Sequence, residues 1–226
     1  MTRLRLARLA VATCAALVVS ACAPAAMSTT SAGAGSTAST AAQGATCSYP
    51  VAGTPARPVD PPSATGVPDT GTTAATLHFT SGAVTITLDR AAAPCTVNSF
   101  VSLASQGFFD HTACHRLVDT GIFILQCGDP TGTGSGGPGY SFADELSGHE
   151  TYPTGTVAMA NRGPNTNGSQ FFLVWADSPL PPDYTVFGHM DAAGLAVIQG
   201  IASQGVSGQN GITPIADATI TSVSLG

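Results

Sequence analysis

Hydrophobic and polar positions along this chain change rhythm near residue 74. Beyond it, short runs alternate apolar with polar residues, the period of a strand with one buried face. Thr76–Thr80 reads as a strand, Ser81-Gly82 as a turn, and Ala83–Leu88 as a second strand in which Val84, Ile86 and Leu88 share a face. Pro94 opens a helix whose apolar stripe is Val97, Phe100, Val101 and Ala104, and Gly107 closes it. Strand-like Cys114–Val118, a turn over 119–121 and the apolar run Ile122–Leu125 make a hairpin, and a Gly-rich loop follows at 132–139. Thr156–Ala160, Ser169–Trp175, Thr185–His189 and Ala218–Ser224 read as further strands, and Ala192–Ala202 as a second helix. Many antiparallel strands with only two helices predict a mainly β fold, a closed barrel with helices plugging its ends.

Residues 1–73 lack that rhythm. Arg3, Arg5 and Arg8 precede an uncharged apolar run at 9–21, the layout of a secretory signal. The run falls short of the ~20 residues needed to span a bilayer. It ends in Val19-Ser20-Ala21-Cys22, which resembles the bacterial lipobox and makes Cys22 the candidate for lipidation. An acyl anchor there would hold the mature chain on the outer face of a membrane. Residues 23–73 are dominated by Ser, Thr, Ala, Gly and Pro and have too little apolar surface to offset chain entropy. The expected organisation is a leader over 1–22, a flexible tether over 23–73 and one folded domain over 74–226.

Composition narrows the function. The chain carries seven basic and thirteen acidic residues, a net charge of −6, and has no Lys. Loss of the leader would leave four Arg against thirteen acids, a net of −9. Those four are Arg57, Arg90, Arg116 and Arg162, never closer than 26 positions, so the clustered cations of a nucleic-acid binder are missing. Outside the leader stand Cys47, Cys95, Cys114 and Cys127. An extracytoplasmic compartment permits disulfides, with three possible pairings. The favoured one joins Cys114 to Cys127 across the hairpin and Cys47 to Cys95, pinning the tether to the domain.

The densest polar stretch is MANRGPNTNGSQFF at 159–172, a long turn feeding a strand. Gln170 and Phe172, two apart, point to one face and set an amide beside an aromatic ring. In the hairpin, Arg116 and Gln126 can approach each other. Gly132, Gly134 and Gly137 satisfy a G-x-G-x-x-G spacing, but Pro138-Gly139 discourages the helix that a dinucleotide site requires. His111, Cys114, His115 and Cys127 offer metal-ligand chemistry, yet Cys114 and His115 point to opposite faces of a strand, so no metal site is expected.

These stretches, with HR…FILQCGD at 115–129, TGTGSGGPGYSF at 131–142 and the closing TVFGH at 185–189, resemble the cyclophilin family of peptidyl-prolyl cis–trans isomerases. The resemblance spans about residues 74–226. It implies an eight-stranded antiparallel barrel capped by two α-helices. It also implies a catalytic Arg116 supported by Gln126, with Asn161 and Ala160 supplying backbone contacts to the substrate. Phe123, Ile124, Phe172, Leu180 and Tyr184 match positions around a proline pocket, Gln170 a polar contact and Gly134 a groove lining. Two departures stand out: Arg162 occupies a position where a small residue is common, and Pro179 stands where the family frequently has Trp.

The expected function is therefore prolyl isomerisation in exported or unfolded proteins outside the cytoplasm, without a cofactor. Expected partners are proline-containing peptides, with a membrane reached through the lipid anchor, no nucleic acid, and a monomeric chain. The rival is a binding module that captures Pro-containing segments with little turnover.

Overall fold

The computed structural model describes residues 44–207 and 211–226. The leader, Cys22 and the first part of the tether lie outside the described residues. Eleven strands and two helices follow in order: β1 (Thr72–Phe79), β2 (Gly82–Asp89), α1 (Pro94–Ser105), β3 (Thr112–Ala113), β4 (Arg116–Thr120), β5 (Ile122–Cys127), β6 (Thr156–Met159), β7 (Phe171–Val174), β8 (Val186–Met190), α2 (Ala192–Ala202), β9 (Val206–Ser207), β10 (Thr213–Pro214) and β11 (Thr219–Leu225). Both helices fall where the apolar spacing places them; the two-residue strands are too short to leave a periodic signal.

The sheet corrects the expectation of a closed eight-stranded barrel. Nine strands pair in the order β3-β11-β1-β2-β8-β6-β7-β5-β4, so β3 and β4 are the terminal strands of an open, strongly curled half-barrel and do not pair with each other. Closure fails for a local reason. β3 is two residues long and pairs only with β11, and Cys114 N–H after it also turns to the β11 side, donating to Ala218 O at 2.9 Å. The outer edge of β4 is taken by another segment, where Leu117 N–H donates to Ile212 O at 2.7 Å. That segment leads into β10, which pairs with β9.

Inside the curl lies the main core. Phe100 of α1 meets Phe109, Phe171 and Phe187 at ring-centroid distances of 5.1, 5.5 and 5.5 Å. Burying such rings supplies much of the drive to fold, at roughly 25 cal/mol per Å² of apolar surface. The start of α1 has no local side-chain cap. Glu145 supplies one from afar, accepting from Cys95 N–H at 2.9 Å and Thr96 N–H at 2.8 Å. A carboxylate suits the positive end of a helix. The helix ends at Gly107, whose φ of +68° lets Phe108 N–H return to Leu103 O at 3.0 Å and Gly107 N–H to Ala104 O at 3.0 Å. At the other helix, Asp191 caps α2 through Gly194 N–H at 2.6 Å.

Residues 44–71, within the segment that composition reads as a tether, lie along the domain. Arg57 Nη1 donates to the carbonyls of Gly107, Phe108 and Asp110 at 2.7, 3.0 and 2.8 Å, setting a cation at the C-terminal end of α1. Ala52 N–H donates to Gly139 O and Ala56 N–H to Gly137 O, each at 2.8 Å. A β-carbon on Gly139 would stand 2.9 Å from Pro55 Cδ, so only glycine permits the arm to lie this close. Cys47 is joined to Cys95 at the start of α1, and Cys114 to Cys127 at the β3–β4 bend.

His115 completes that bend. Its Nδ1 is buried without a hydrogen-bond partner among the described residues, and a β-carbon on Gly134 would stand 3.3 Å from its Cδ2. Burial holds its pKa below the ordinary 6.5; Asp129 opposes this and Arg116 adds to it.

Two outcomes follow. The bridges close sequence separations of 48 and 13 residues, so replacing Cys47 and Cys95 by Ser should cost about 4 kcal/mol and replacing Cys114 and Cys127 about 3 kcal/mol. Denaturant titration with intact-mass analysis reads this; unchanged midpoints in both variants would contradict it. For His115 the unfolded chain takes up the proton first as pH falls. Its contribution to stability is therefore complete above about pH 6.5 and is lost progressively below it. Unfolding curves should show that slope, and His115→Gln should flatten it; an identical slope in the variant would contradict the assignment.

Candidate active site

Cross-strand register builds the site. Arg116 of β4 stands opposite Gln126 of β5, Gln126 opposite Phe172 of β7, and Phe172 opposite Ala158 of β6. Directly paired residues project to the same face of a sheet. One row therefore carries a guanidinium, an amide and an aromatic ring on the face away from the main core. The next row, two residues on, brings Val118, Ile124 and Val174 to that face. Ile124, Phe172, Val174, Ala158 and Tyr152 form a second, smaller buried cluster, against which Leu180 and Tyr184 pack.

This cluster floors a cavity of about 690 Å³. Phe172 is 2% exposed, and its ring meets Tyr184 edge-on at 5.5 Å. Tyr184 is fixed in turn by Tyr152, whose hydroxyl donates to Tyr184 O at 2.9 Å and accepts from Tyr184 N–H at 3.0 Å. The result is a shallow apolar socket with polar groups at its edge.

A hydrogen-bonded chain sets the polar edge. Arg116 Nη1 donates to Gln126 Oε1 at 3.2 Å. Gln126 Nε2 donates to Gln170 Oε1 at 2.9 Å. Gln170 Nε2 donates to the carbonyls of Gly134 and Gly136, both at 2.9 Å. The Gly-rich loop that ends this chain is itself tied to Asp129, which is fully buried and accepts from Thr131 N–H at 2.8 Å and Gly136 N–H at 3.0 Å. Burial raises the Asp129 pKa, but the hydrogen bonds from Thr131, Gly136 and Gly134 outweigh it and hold the carboxyl below its ordinary value.

On the opposite wall, the Asn161 side chain serves its own loop, donating to Asp183 O at 2.8 Å and accepting from Gly163 N–H at 3.2 Å. Among the described residues its backbone groups make no hydrogen bond, which leaves them open to a peptide, whereas Ala160 N–H is taken by Gln170 O at 3.0 Å.

Of the expected site residues, the structure gathers Arg116, Gln126, Asn161, Ile124, Gly134, Ala160, Gln170, Phe172, Leu180 and Tyr184 around the one cavity. It does not gather Phe123 there. Neighbours in a strand face opposite sides; Ile124 faces the cavity, and the Phe123 ring packs edge-on against Trp175 at 5.0 Å. Ile122, at the corresponding position on the cavity side, lines it instead. Ala52, Gly53 and Thr54 of the arm add a further stretch of wall. Neither the arm nor Tyr152 carries a periodic signal that would have marked it. Cys114 and Cys127 are consumed by their disulfide, which removes them as metal ligands.

The family model for cyclophilin-type peptidyl-prolyl cis–trans isomerases matches residues 74–225. A "Probable peptidyl-prolyl cis-trans isomerase B" from Mycobacterium leprae is 49% identical over 198 residues, covering 80% of this chain and 67% of that protein. Its counterpart from Mycobacterium tuberculosis is 48% identical over 199 residues, 80% of this chain and 64% of the relative. The chain thus spans about two thirds of the length of these relatives. The crystal structure of a Cryptosporidium parvum cyclophilin-type isomerase superposes with a TM-score of 0.62 at 29% identity, covering 69% of this chain and 98% of its own. With a match running from β1 to the last residues of β11, the chain belongs to the cyclophilin-type peptidyl-prolyl cis–trans isomerase family.

Proposed function

We propose that this chain accelerates cis–trans rotation of Xaa-Pro bonds in exported or unfolded proteins outside the cytoplasm, tethered to a membrane through lipid on Cys22. The observation that carries the isomerase reading is Arg116, held by Gln126 in the same row as the buried Phe172. The location rests on the Arg-rich leader and lipobox-like Val19-Ser20-Ala21-Cys22, and on two disulfides that suit an oxidising compartment.

Rotation about the prolyl bond meets a barrier of ~18–20 kcal/mol because the C–N bond has partial double-bond character. Unaided, it takes on the order of 10–100 s. The reaction makes and breaks no covalent bond, so a site need only grip the ring and favour the twisted state. In that state the prolyl nitrogen is pyramidal and its lone pair is exposed. A guanidinium N–H aimed at it stabilises the twisted form more than the planar one. Arginine suits the task because it stays protonated and its donors are geometrically fixed. Phe172, Ile124, Leu180 and Tyr184 hold the ring, and Asn161 backbone groups hold the chain on one side while the other turns. Gln126 keeps the guanidinium from rotating away, which spares the reaction part of the orientational cost.

Arg116→Ala should slow catalysed exchange about 10²–10³-fold, the range for loss of one oriented donor, with a much smaller change in peptide affinity. Exchange spectroscopy on a short Xaa-Pro peptide measures both. Undiminished exchange in the variant would remove the mechanism, and peptide binding without accelerated exchange in the wild type would favour the capture-only reading.

A further inference from the structure

The groove carries charge of one sign. Among the described residues, the only charged side chains that line the cavity are those of Arg116 and Arg162, although acids outnumber basic residues thirteen to seven in the chain. Arg116 is committed to Gln126 and to the reacting imide. Arg162 is not. It follows Asn161 on the wall that faces the peptide, and its backbone N–H is fixed by Thr166 Oγ1 at 2.8 Å. Its Nη2 crosses to the other wall and donates to Gly134 O at 2.9 Å. One contact to a neutral carbonyl leaves most of the five guanidinium donors unspent.

The surrounding acids do not compensate it. Among the described residues no carboxylate pairs with Arg162. Asp129 is buried and spends its oxygens on Thr131 and Gly136. Asp144 accepts from Asn165 N–H at 2.7 Å and from Asn167 Nδ2 at 2.8 Å. Asp183 offers its backbone carbonyl, not its carboxylate, to Asn161. The arm residues Ala52, Gly53 and Thr54 complete the wall with short neutral side chains. The groove therefore holds a positioned, uncompensated cation next to Asn161 in the cavity wall.

We propose that Arg162 is a specificity-determining residue: it selects Xaa-Pro segments that carry an Asp or Glu side chain within three residues of the proline. The proposal rests on the isomerase reading above and names the substrate class of that site. An acidic side chain in this position gains a charge-assisted contact with the guanidinium. A basic one meets two cations and no anion. A step of one residue moves the chain by about 3.8 Å between α-carbons, so the contact should be sharp in position along the peptide.

A peptide set with one Xaa-Pro bond and a single Glu, Gln or Lys stepped from three residues before the proline to three after tests it. Catalysed exchange is read for each peptide with the full chain. At one position Glu should exceed Gln by about 1.5- to fivefold at low ionic strength, the range for a solvent-exposed ion pair, and Lys should fall below Gln. Added salt should compress the ratio. Arg162→Ala should bring the Glu-to-Gln ratio to about one, Arg162→Lys should restore part of it, and Arg162→Glu should shift the preference to Lys. Equal rates for Glu and Gln at every position, or a ratio that survives in Arg162→Ala, would overturn the proposal while leaving the isomerase reading intact. Failure to accelerate any peptide would overturn the isomerase reading, and the proposal with it.

Discussion

One flexible side chain has to be kept in one place, and a relay of four hydrogen bonds does this. Arg116 rests on Gln126, Gln126 on Gln170, and Gln170 on the carbonyls of Gly134 and Gly136. Each amide donates with its nitrogen and accepts with its oxygen, so neither polar end is left over. Gln170 is 9% exposed, and an amide at that depth is costly unless it is paired. The same cost makes the relay directional: turning one amide over would set donor against donor at the next link. Other parts of the fold serve this chain of contacts. The β4–β5 register sets Arg116 opposite Gln126, and Asp129 fixes the loop that receives Gln170.

The two faces of the sheet divide the labour. Leu125, Phe171 and Leu173 point into the curl and join the main core, whereas Ile124, Phe172 and Val174 form the socket floor. Alternation along a strand makes this division automatic. A socket laid directly on the reverse of a packed core is rigid, because its residues share backbone with buried neighbours. That rigidity is what a reaction driven by preorganised contacts requires.

Much of this was legible in the sequence, and the reasons are local. Val84, Ile86 and Leu88 announce β2, and the apolar stripe ending at Gly107 announces α1. Arg116 and Gln126 flank a short turn, so hairpin pairing alone brings them together. Gln170 and Phe172 share a face by their spacing. The open sheet was not legible, because closure depends on which segment reaches the edge of β4, a long-range contest that no periodicity records. The position of Phe123 was obscured differently: family resemblance put it at the pocket beside Ile124, yet adjacent strand residues cannot both face one groove. Residues 44–71 were read from composition as having too little apolar surface to pack. They are held instead by a disulfide, by backbone hydrogen bonds and by Arg57 across three carbonyls, none of which leaves a hydrophobic signature.

Catalysis by this site depends on where one guanidinium points when a proline is bound. A crystal structure of this chain with an Xaa-Pro peptide tests it directly. The pyrrolidine ring should be seated on Phe172, with Arg116 within hydrogen-bonding distance of the prolyl nitrogen and its contact to Gln126 retained. A ring lodged elsewhere in the groove, or Arg116 swung away from the imide with Gln126 unpaired, would contradict it.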